Sequence, residues 1–213
     1  MFDPTTHIAT EENFIKLLEH EVYDRKYIGY GVTLSNSVDY NNGVWIIADV
    51  DHDSANTGQT NCYDLISRDT FHSTKYSSGE KMPWTSSTIK NWLNNTFYNA
   101  FSSDIKYHIL NIKYKSQTSW RTAEKVILPS LVEVYGTITG YDTEGVTYPI
   151  FTDDTSRKKY DSEVTTYHIS KSWWTRTRYK TNNSNFEYVN TAGSIDYVGY
   201  SGKNELAPLF RIQ

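Results

Sequence analysis

The chain has 213 residues, with 25 acidic side chains against 21 Lys and Arg and a formal net charge of −4. Its mean hydropathy of −0.62 and the lack of any apolar run near ~18 residues exclude a membrane-spanning helix. The acidic balance excludes a general nucleic-acid-binding surface, and the single cysteine, Cys62, excludes a disulfide scaffold. Aromatic residues make up 15% of the chain, which indicates a folded protein.

A first helix is predicted over residues 11–22. Thr10 is a suitable N-cap, and Glu11 and Glu12 occupy the first turn, where acidic side chains are favoured. One apolar stripe at helical spacing consists of Phe14, Leu17, Leu18 and Val22. Two interpretations stay open: the helix packs on its own domain, or it forms an arm that docks on a larger assembly.

Strands are predicted next. Residues 27–34 and 44–50 are rich in strand-forming side chains and flank Asn41-Asn42-Gly43, a strong turn signal, so they predict a β-hairpin. A short strand is predicted over residues 62–67.

Two more helices and several strands complete the prediction. Residues 87–99 carry the clearest helical periodicity, and 104–112 a shorter one. Short strands are predicted around 188–189, 195–198 and 209–212, with an aromatic strand or turn at 173–176. We therefore expect an N-terminal helical arm, residues 1–26, before one α+β domain, residues 27–213, with two main helices, short antiparallel strands and long loops.

No metal site is predicted. Asp49, Asp51 and Asp53 resemble the opening of a calcium loop, but Ser54 and Thr60 stand where that loop needs Gly and Glu. None of the histidines has the spacing of a zinc site: His7, His20, His52, His72, His108 and His168. We expect neither a metal nor another cofactor.

No catalytic residue is predicted either. The chain lacks the nucleophile elbow, the P-loop and the dinucleotide fingerprint, and Cys62 lies in an apolar strand, where cysteine acts as a small hydrophobe. A carboxylate pair for glycoside hydrolysis is the remaining enzymatic alternative. Its candidates are Glu124, Glu133, Asp142, Glu144, Asp153, Asp154 and Asp161. Any chain of this size carries such residues, so we expect no enzyme.

The aromatic residues divide into two groups. Trp45, Trp92, Trp173 and Trp174 occupy periodic segments and are assigned to the core scaffold. Arg176 either stacks on a ring or pairs with a carboxylate, or it is a structural residue that organises loops.

Segment 179–204 combines Tyr, Asn, Ser and Gly, the composition of protein surfaces that bind ligands. The candidate ligand-binding residues are Tyr179, Asn182, Asn183, Asn185, Tyr188, Asn190, Tyr197 and Tyr200. The alternative is a polar, loop-rich stretch without a ligand.

Several motifs in order, covering residues 28–213, resemble an uncharacterised domain family of gut bacteria and their phages. The motifs are the W-L-N helix at 84–97, Trp173-Trp174-Thr175-Arg176, and the terminal strand 208–212. The resemblance implies a C-type lectin-like fold, in its formylglycine-generating-enzyme-like branch, with ligand-binding loops near the C-terminal end. The calcium–sugar motifs and the cysteine pair of that fold are missing, and Ala207 replaces the usual Arg, so neither calcium-dependent sugar binding nor that catalysis carries over.

These observations lead to one expected function: a non-enzymatic phage virion protein for receptor binding, adhesion or decoration. Its partners would be cell-surface glycan or protein and other virion proteins, with the N-terminal helix as anchor and self-association into a homo-oligomer. Residues 1–7 lack the basic start of a signal peptide, so synthesis in the host cytoplasm is expected. The alternative is a structural component that binds only other virion proteins.

Overall fold

The structure is a computed structural model that describes residues 2–38, 40, 43–78, 82–162 and 169–213. Strands dominate these residues. They are β1 (Ile8–Ala9), β2 (Gly31–Leu34), β3 (Gly43–Val50), β4 (Tyr63–Ser67), β5 (Phe71–Lys75), β6 (Tyr114–Ser116), β7 (Ser119–Arg121), β8 (Val126–Ile127), β9 (Lys159–Tyr160), β10 (Ser170–Lys171), β11 (Trp173–Arg178), β12 (Asn185–Val189), β13 (Ile195–Gly199), β14 (Lys203–Leu206) and β15 (Leu209–Ile212).

The helices between the strands are short. They are α1 (Glu11–Glu19), α2 (Ser54–Thr57), α3 (Thr88–Trp92), α4 (Ser103–His108), α5 (Leu131–Tyr135) and α6 (Asp154–Arg157). Tight 3-10 turns lie at Arg25–Tyr27, Trp84–Ser86 and Tyr98–Ala100, and one π-helical turn spans Leu93–Phe97. Every helix in the described ranges is too short or too polar to span a bilayer.

A six-stranded sheet, in the order β1-β2-β3-β4-β15-β8, carries most of the core. Residues alternate between its faces. On the first face the Trp45 ring lies 4.7 Å from Phe210 and 5.8 Å from Phe101. On the second face Ile66 pairs with both Ile46 and Leu209. The β-branched side chains of β3 and β4 suit a strand that is covered on both faces.

A five-stranded sheet follows the order β13-β12-β11-β14-β5. Trp173 and Trp174 of its central strand β11 are fully buried, and the indole N–H of Trp174 donates to the Thr74 carbonyl at 3.0 Å. Strand β13 forms one edge, next to β12. The segment 179–204, where the ligand-binding residues are predicted, therefore builds one side of this sheet.

The N-terminal segment packs on its own domain. Phe14 and Leu18 of α1 lie in the same apolar core as the sheets, and β1 extends the six-stranded sheet by pairing in parallel with β2. The Thr10 hydroxyl accepts from the Asn13 amide at 3.3 Å, which caps the helix as the sequence predicts. The apolar stripe of α1 is therefore covered within the chain.

The predicted fold class is wrong. The C-type lectin-like α+β domain with two main helices is replaced by 15 strands in four sheets within the described residues, with 32% strand and 24% helix. The predicted helix at 87–99 shows the reason: only α3 is α-helical, and it passes into the π turn and then a 3-10 turn. Asn94 and Asn95 donate from their side chains to carbonyls four residues earlier, a competition with the backbone that weakens regular helix.

The predicted strands are better matched. Strands β2 and β3 pair antiparallel, with Val32 opposite Trp45, and β4 matches the strand expected at 62–67. Asn41 and Asn42 of the predicted turn lie outside the described residues, as does His168.

Candidate functional site

Arg176, on the central strand β11, organises the buried side of a polar cleft. Its side chain forms a bidentate ion pair with Glu133, at 2.6 and 2.8 Å, and is fully buried. It also donates to the backbone carbonyls of Leu128, Lys115 and Glu144, at 2.8, 3.1 and 2.9 Å. Burial works to lower the pKa of Arg176, but the Glu133 carboxylate holds it above its ordinary value. Arg176 thus stays charged and fastens three chain segments to one strand.

The partner Glu133 is itself positioned by helix α5. Ser130 and Glu133 form a capping box: the Ser130 hydroxyl accepts from the Glu133 amide at 3.0 Å, and the Glu133 carboxylate accepts from the Ser130 amide at 2.8 Å. The Ser130 hydroxyl also donates to the Glu144 carbonyl at 3.0 Å. Loop and helix are therefore held together on the inner side of the cleft.

Glu144 forms the floor of the cleft. Its carboxylate accepts from the Gln117 amide at 2.6 Å and from the Thr177 hydroxyl. Burial raises the pKa of Glu144, although Arg176 and both hydrogen bonds act in the opposite direction. Both carboxylate oxygens are thus engaged within the protein.

The cleft above this floor has a volume of about 250 Å³. Two segments form its walls, the turn around 140–144 and the chain that leaves β11. The polar side chains and rings on these walls include Gln117, Tyr141, Asp142, Tyr179, Lys180 and Asn183. Their mixture of amide, carboxylate, ammonium and aromatic groups suits a ligand with many hydroxyls.

Glu187 and Tyr141 support one wall from below. The Tyr141 hydroxyl donates to one Glu187 carboxylate oxygen, while the other is buried without a partner among the described residues. Burial raises the pKa of Glu187 to about 7, and the Tyr141 hydrogen bond acts in the opposite direction. Lys180 lies 5.2 Å from the Tyr141 ring centre and donates to the Thr139 carbonyl at 3.2 Å, which keeps this ring between two polar groups.

Three of the predicted ligand-binding residues meet at this cleft. Tyr179 and Asn183 line it, and the Tyr197 ring stacks on Tyr179 with 4.0 Å between ring centres. Tyr197, on the edge strand β13, is 47% exposed. The pair presents a flat aromatic surface beside the polar cleft.

The other five predicted ligand-binding residues make contacts with other parts of the protein. Asn182 and Asn190 accept backbone amides with their side-chain oxygens and so shape turns. Asn185 pairs with Gly199 across strands β12 and β13. Tyr188 donates to Asp196 at 3.0 Å and packs edge-on against Trp174, while Tyr200 packs against the core.

Sequence reasoning missed Gln117, Tyr141 and Lys180. The first two lie on segments distant in sequence from 179–204, and their hydrogen bonds to Glu144 and Glu187 hold them at the cleft. Gly140 and Asp142, which flank Tyr141, do form a recognisable turn signal.

The scaffold residues occupy the core or its margin. Trp45, Trp173 and Trp174 are fully buried, whereas Trp92 is partly buried and stacks on His72 with 4.1 Å between ring centres. Arg176 combines the two interpretations: it pairs with the Glu133 carboxylate, and its bonds to backbone carbonyls organise the surrounding loops.

The aspartates of the calcium-like segment have protein partners. Asp49 pairs with His52 at 2.9 Å and Arg25 at 3.0 Å, and Asp51 accepts from the Cys62 amide at 3.1 Å. Asp53 accepts from the Asn56 side chain. The described ranges hold no cluster of three or more His, Cys, Asp or Glu side chains arranged for a metal ion.

A second, larger cavity of about 770 Å³ opens on the second face of the six-stranded sheet. Ile46 and Ile66 form its floor, and the segment from Pro149 to Tyr160 forms one wall. We call this cavity the sheet groove. Lys159, at its inner end, is 5% exposed, and burial lowers the pKa of this side chain to about 7.

Comparison with curated proteins finds no match, and comparison with solved structures finds none either. Residues 61–213 match the family described as Domain of unknown function (DUF6273), and this match spans more than two thirds of the chain, including Arg176 and both cavities' main walls. The chain therefore belongs to the DUF6273 family.

Proposed function

We propose that the protein is a non-enzymatic binding module that holds a glycan in the cleft beside Tyr179. The observation that carries the proposal is the meeting of Tyr141, Tyr179, Lys180 and Asn183 around one polar cleft of about 250 Å³. This volume is below the roughly 300–1,000 Å³ of sites for drug-sized molecules, so the cleft has room for a small polar unit rather than a large apolar ligand.

The stacked tyrosines supply the apolar part of the interaction. The rings of Tyr179 and Tyr197 are nearly parallel, with 17° between their planes, so the pair is rigid and flat. A tyrosine ring offers a large contact area at low entropy cost, and a sugar ring has a flat C–H face that can lie against it. Tyr197 keeps part of its surface open to such a contact.

The cleft supplies the polar part. Asn183 and Asp142 are exposed at its rim, and Lys180 adds an ammonium group. These amide, carboxylate and ammonium groups can donate to or accept from hydroxyls in several orientations. A polyhydroxylated ligand therefore fits better than an apolar one.

The carboxylates near the cleft favour binding over hydrolysis. A glycosidase needs one carboxyl group as acid and a second as base or nucleophile at the scissile bond. Here both oxygens of Glu144 accept hydrogen bonds from Gln117 and Thr177, and Glu187 lies beneath Tyr141. With Glu144 and Glu187 engaged in this way, the exposed Asp142 has no second free carboxylate among the described lining residues to complete a pair.

Glycan-array binding tests this proposal. We expect the purified protein to bind a subset of glycans, and the variants Tyr179→Ala and Asn183→Ala to lose about ten-fold or more in affinity, because each removes a direct contact. Tyr107→Ala is the matched control, since Tyr107 is 86% exposed and lies outside the cleft lining. Equal binding by all three variants would remove the cleft from the proposal, and release of reducing ends from a bound glycan would replace binding by hydrolysis.

The phage particle is the location that we propose, on the strength of the sequence motifs alone. Mass spectrometry of purified particles tests it directly. Detection at a defined copy number supports the proposal, and detection only in the cell lysate contradicts it.

A second candidate function, assembly with other virion proteins, is favoured by the edge strand β13. Its outer edge is unpaired within the described residues, and Ile195 and Tyr197 are exposed on it. An edge of this kind can pair with a strand of another chain. If light scattering shows a homo-oligomer that Val198→Pro dissociates without loss of folded structure, assembly through β13 is supported over glycan binding.

A further inference from the structure

The sheet groove is separate from the glycan cleft and has a different character. Its apolar lining consists of the partly buried Ile28, Ile46 and Ile150 and of the buried Ile66 and Phe151, with Ile46 and Ile66 paired across β3 and β4. The volume of about 770 Å³ lies within the range of small-molecule sites, roughly 300–1,000 Å³. The groove therefore has room for an apolar ligand of moderate length.

Its inner end carries a buried cation. The Lys159 ammonium donates to the carbonyls of Ser67 and Arg68, and the described residues place no carboxylate within ion-pair distance of it. The Lys159 ammonium lies 5.8 Å from the centre of the Trp173 ring. A buried amine held only by neutral groups is costly, and an anion beside it would offset that cost.

The other charged residues of the lining add one net positive charge. Lys158 adds a second ammonium, and Arg68 is paired with Asp69 at 3.0 Å, so their charges cancel. The lining therefore carries one positive charge from Lys158, and a second one when Lys159 is protonated. Burial and the neighbouring Arg68 lower the pKa of Lys159 to about 7, and Asp69 acts in the opposite direction. A bound anion would favour the protonated form of Lys159.

From this arrangement we infer that the sheet groove binds an amphipathic monocarboxylate, of the class of medium-chain fatty acids. The hydrocarbon chain lies on Ile46 and Ile150, and the carboxylate meets Lys159 and Lys158. One negative charge leaves the lining neutral, or singly positive when Lys159 is protonated, and the apolar lining excludes ligands that are polar along their whole length. This site is independent of the glycan cleft.

Calorimetric titration of the full chain with decanoate, below its micelle concentration at pH 7, tests the inference. We expect binding with one site per chain, and binding of decanol or decyltrimethylammonium that is weaker by about ten-fold or more, because neither supplies a negative head group. Lys159→Met should weaken decanoate binding to a similar extent. Lys203→Met, an exposed lysine of β14 outside the groove, is the matched control.

A second pair of variants keeps the test valid if Lys159→Met fails to fold. Ile150 is half-buried at the wall, so Ile150→Glu adds a negative charge to the groove and Ile150→Gln adds a neutral side chain of the same shape. We expect the Glu variant to lose decanoate binding and the Gln variant to keep most of it. The inference is overturned by any of three results: no decanoate binding, equal affinity for decanol, or tighter binding of an apolar peptide with a free C-terminus. Tyr179→Ala should leave the decanoate affinity unchanged.

Discussion

Replacement of Arg176 by Met is the most severe test of the internal network. Arg176 is fully buried and forms five hydrogen bonds, two of them to the Glu133 carboxylate. Methionine has a similar length and fits the same space without any of these bonds. Glu133, which is 4% exposed, would be left buried without its counter-ion.

The cost follows from the buried charge. Removal of one partner from a buried ion pair typically destabilises a protein by about 3–5 kcal/mol, because the other charge stays desolvated. For a chain of this length each kcal/mol lowers the melting temperature by about 2–4 °C, so Arg176→Met should melt about 6–20 °C lower than the wild type. A further Glu133→Gln substitution removes the stranded charge, so the double variant should be more stable than Arg176→Met alone.

Thermal melting followed by circular dichroism, with urea titration at 25 °C, measures these differences. Arg121→Met, at an exposed position of β7, is the control and should change the free energy of unfolding by less than about 0.5 kcal/mol. The reasoning is refuted if the two substitutions at 176 and 133 lower stability additively, since independent effects would mean that the ion pair is not coupled.

Three further predictions follow from the buried polar groups. Burial raises the pKa of Glu187 to about 7, so the wild type should lose stability as the pH rises from 4.5 to 8. The variant Glu187→Gln lacks this titration, and over the same interval it should gain about 1–3 kcal/mol of stability relative to the wild type, as measured by melting at several pH values. Tyr148→Phe should cost about 1–3 kcal/mol in urea titration, because its hydroxyl donates to the buried Asp64 carboxylate at 2.7 Å. Cys62, whose pKa burial raises to about 12, should react with maleimide only in urea, and labelling of the native protein would contradict this.

The sequence predicts local elements better than it predicts their arrangement. The strand-forming residues of β3 and β4 and the capped stripe of α1 are local signals, and these elements lie close to where they are expected, although α1 ends at Glu19 rather than at residue 22. The order of strands in the sheets is set by contacts between distant segments, such as β15 between β4 and β8. No local pattern encodes those contacts. The family resemblance of the sequence motifs was the only guide to the arrangement, and the α+β fold with two main helices that it implied is wrong.

The candidate site shows the same division. Composition singled out Tyr179, Asn183 and Tyr197, which do lie together, but it gave Asn182 and Asn190 the same weight, although these side chains shape turns. Tyr, Asn and Ser serve binding surfaces and turns equally well, so composition cannot separate the two roles. Only the hydrogen-bond partners of each side chain do so.

The segment from 140 to 160 connects the two proposed sites. Tyr141 and Asp142 near its start line the glycan cleft, and the residues from Pro149 to Tyr160 line the sheet groove. Between these ends the segment is fastened twice: Arg176 of the five-stranded sheet binds the Glu144 carbonyl, and Tyr148 binds Asp64 of the six-stranded sheet.

Asp64 is in turn fixed by Arg211, in a bidentate pair at 2.6 and 2.8 Å. Each sheet thus contributes a buried arginine that is paired with a carboxylate. Arg176 lies on β11 of the five-stranded sheet, and Arg211 lies on β15 of the six-stranded sheet. The segment contains only the short helix α6 and the two-residue strand β9, so these anchors add to what keeps it in a defined shape. The two arginines therefore add hydrogen bonds and ion pairs to the core packing of Tyr148 and Phe151, and together these contacts fix the segment that lines both cavities.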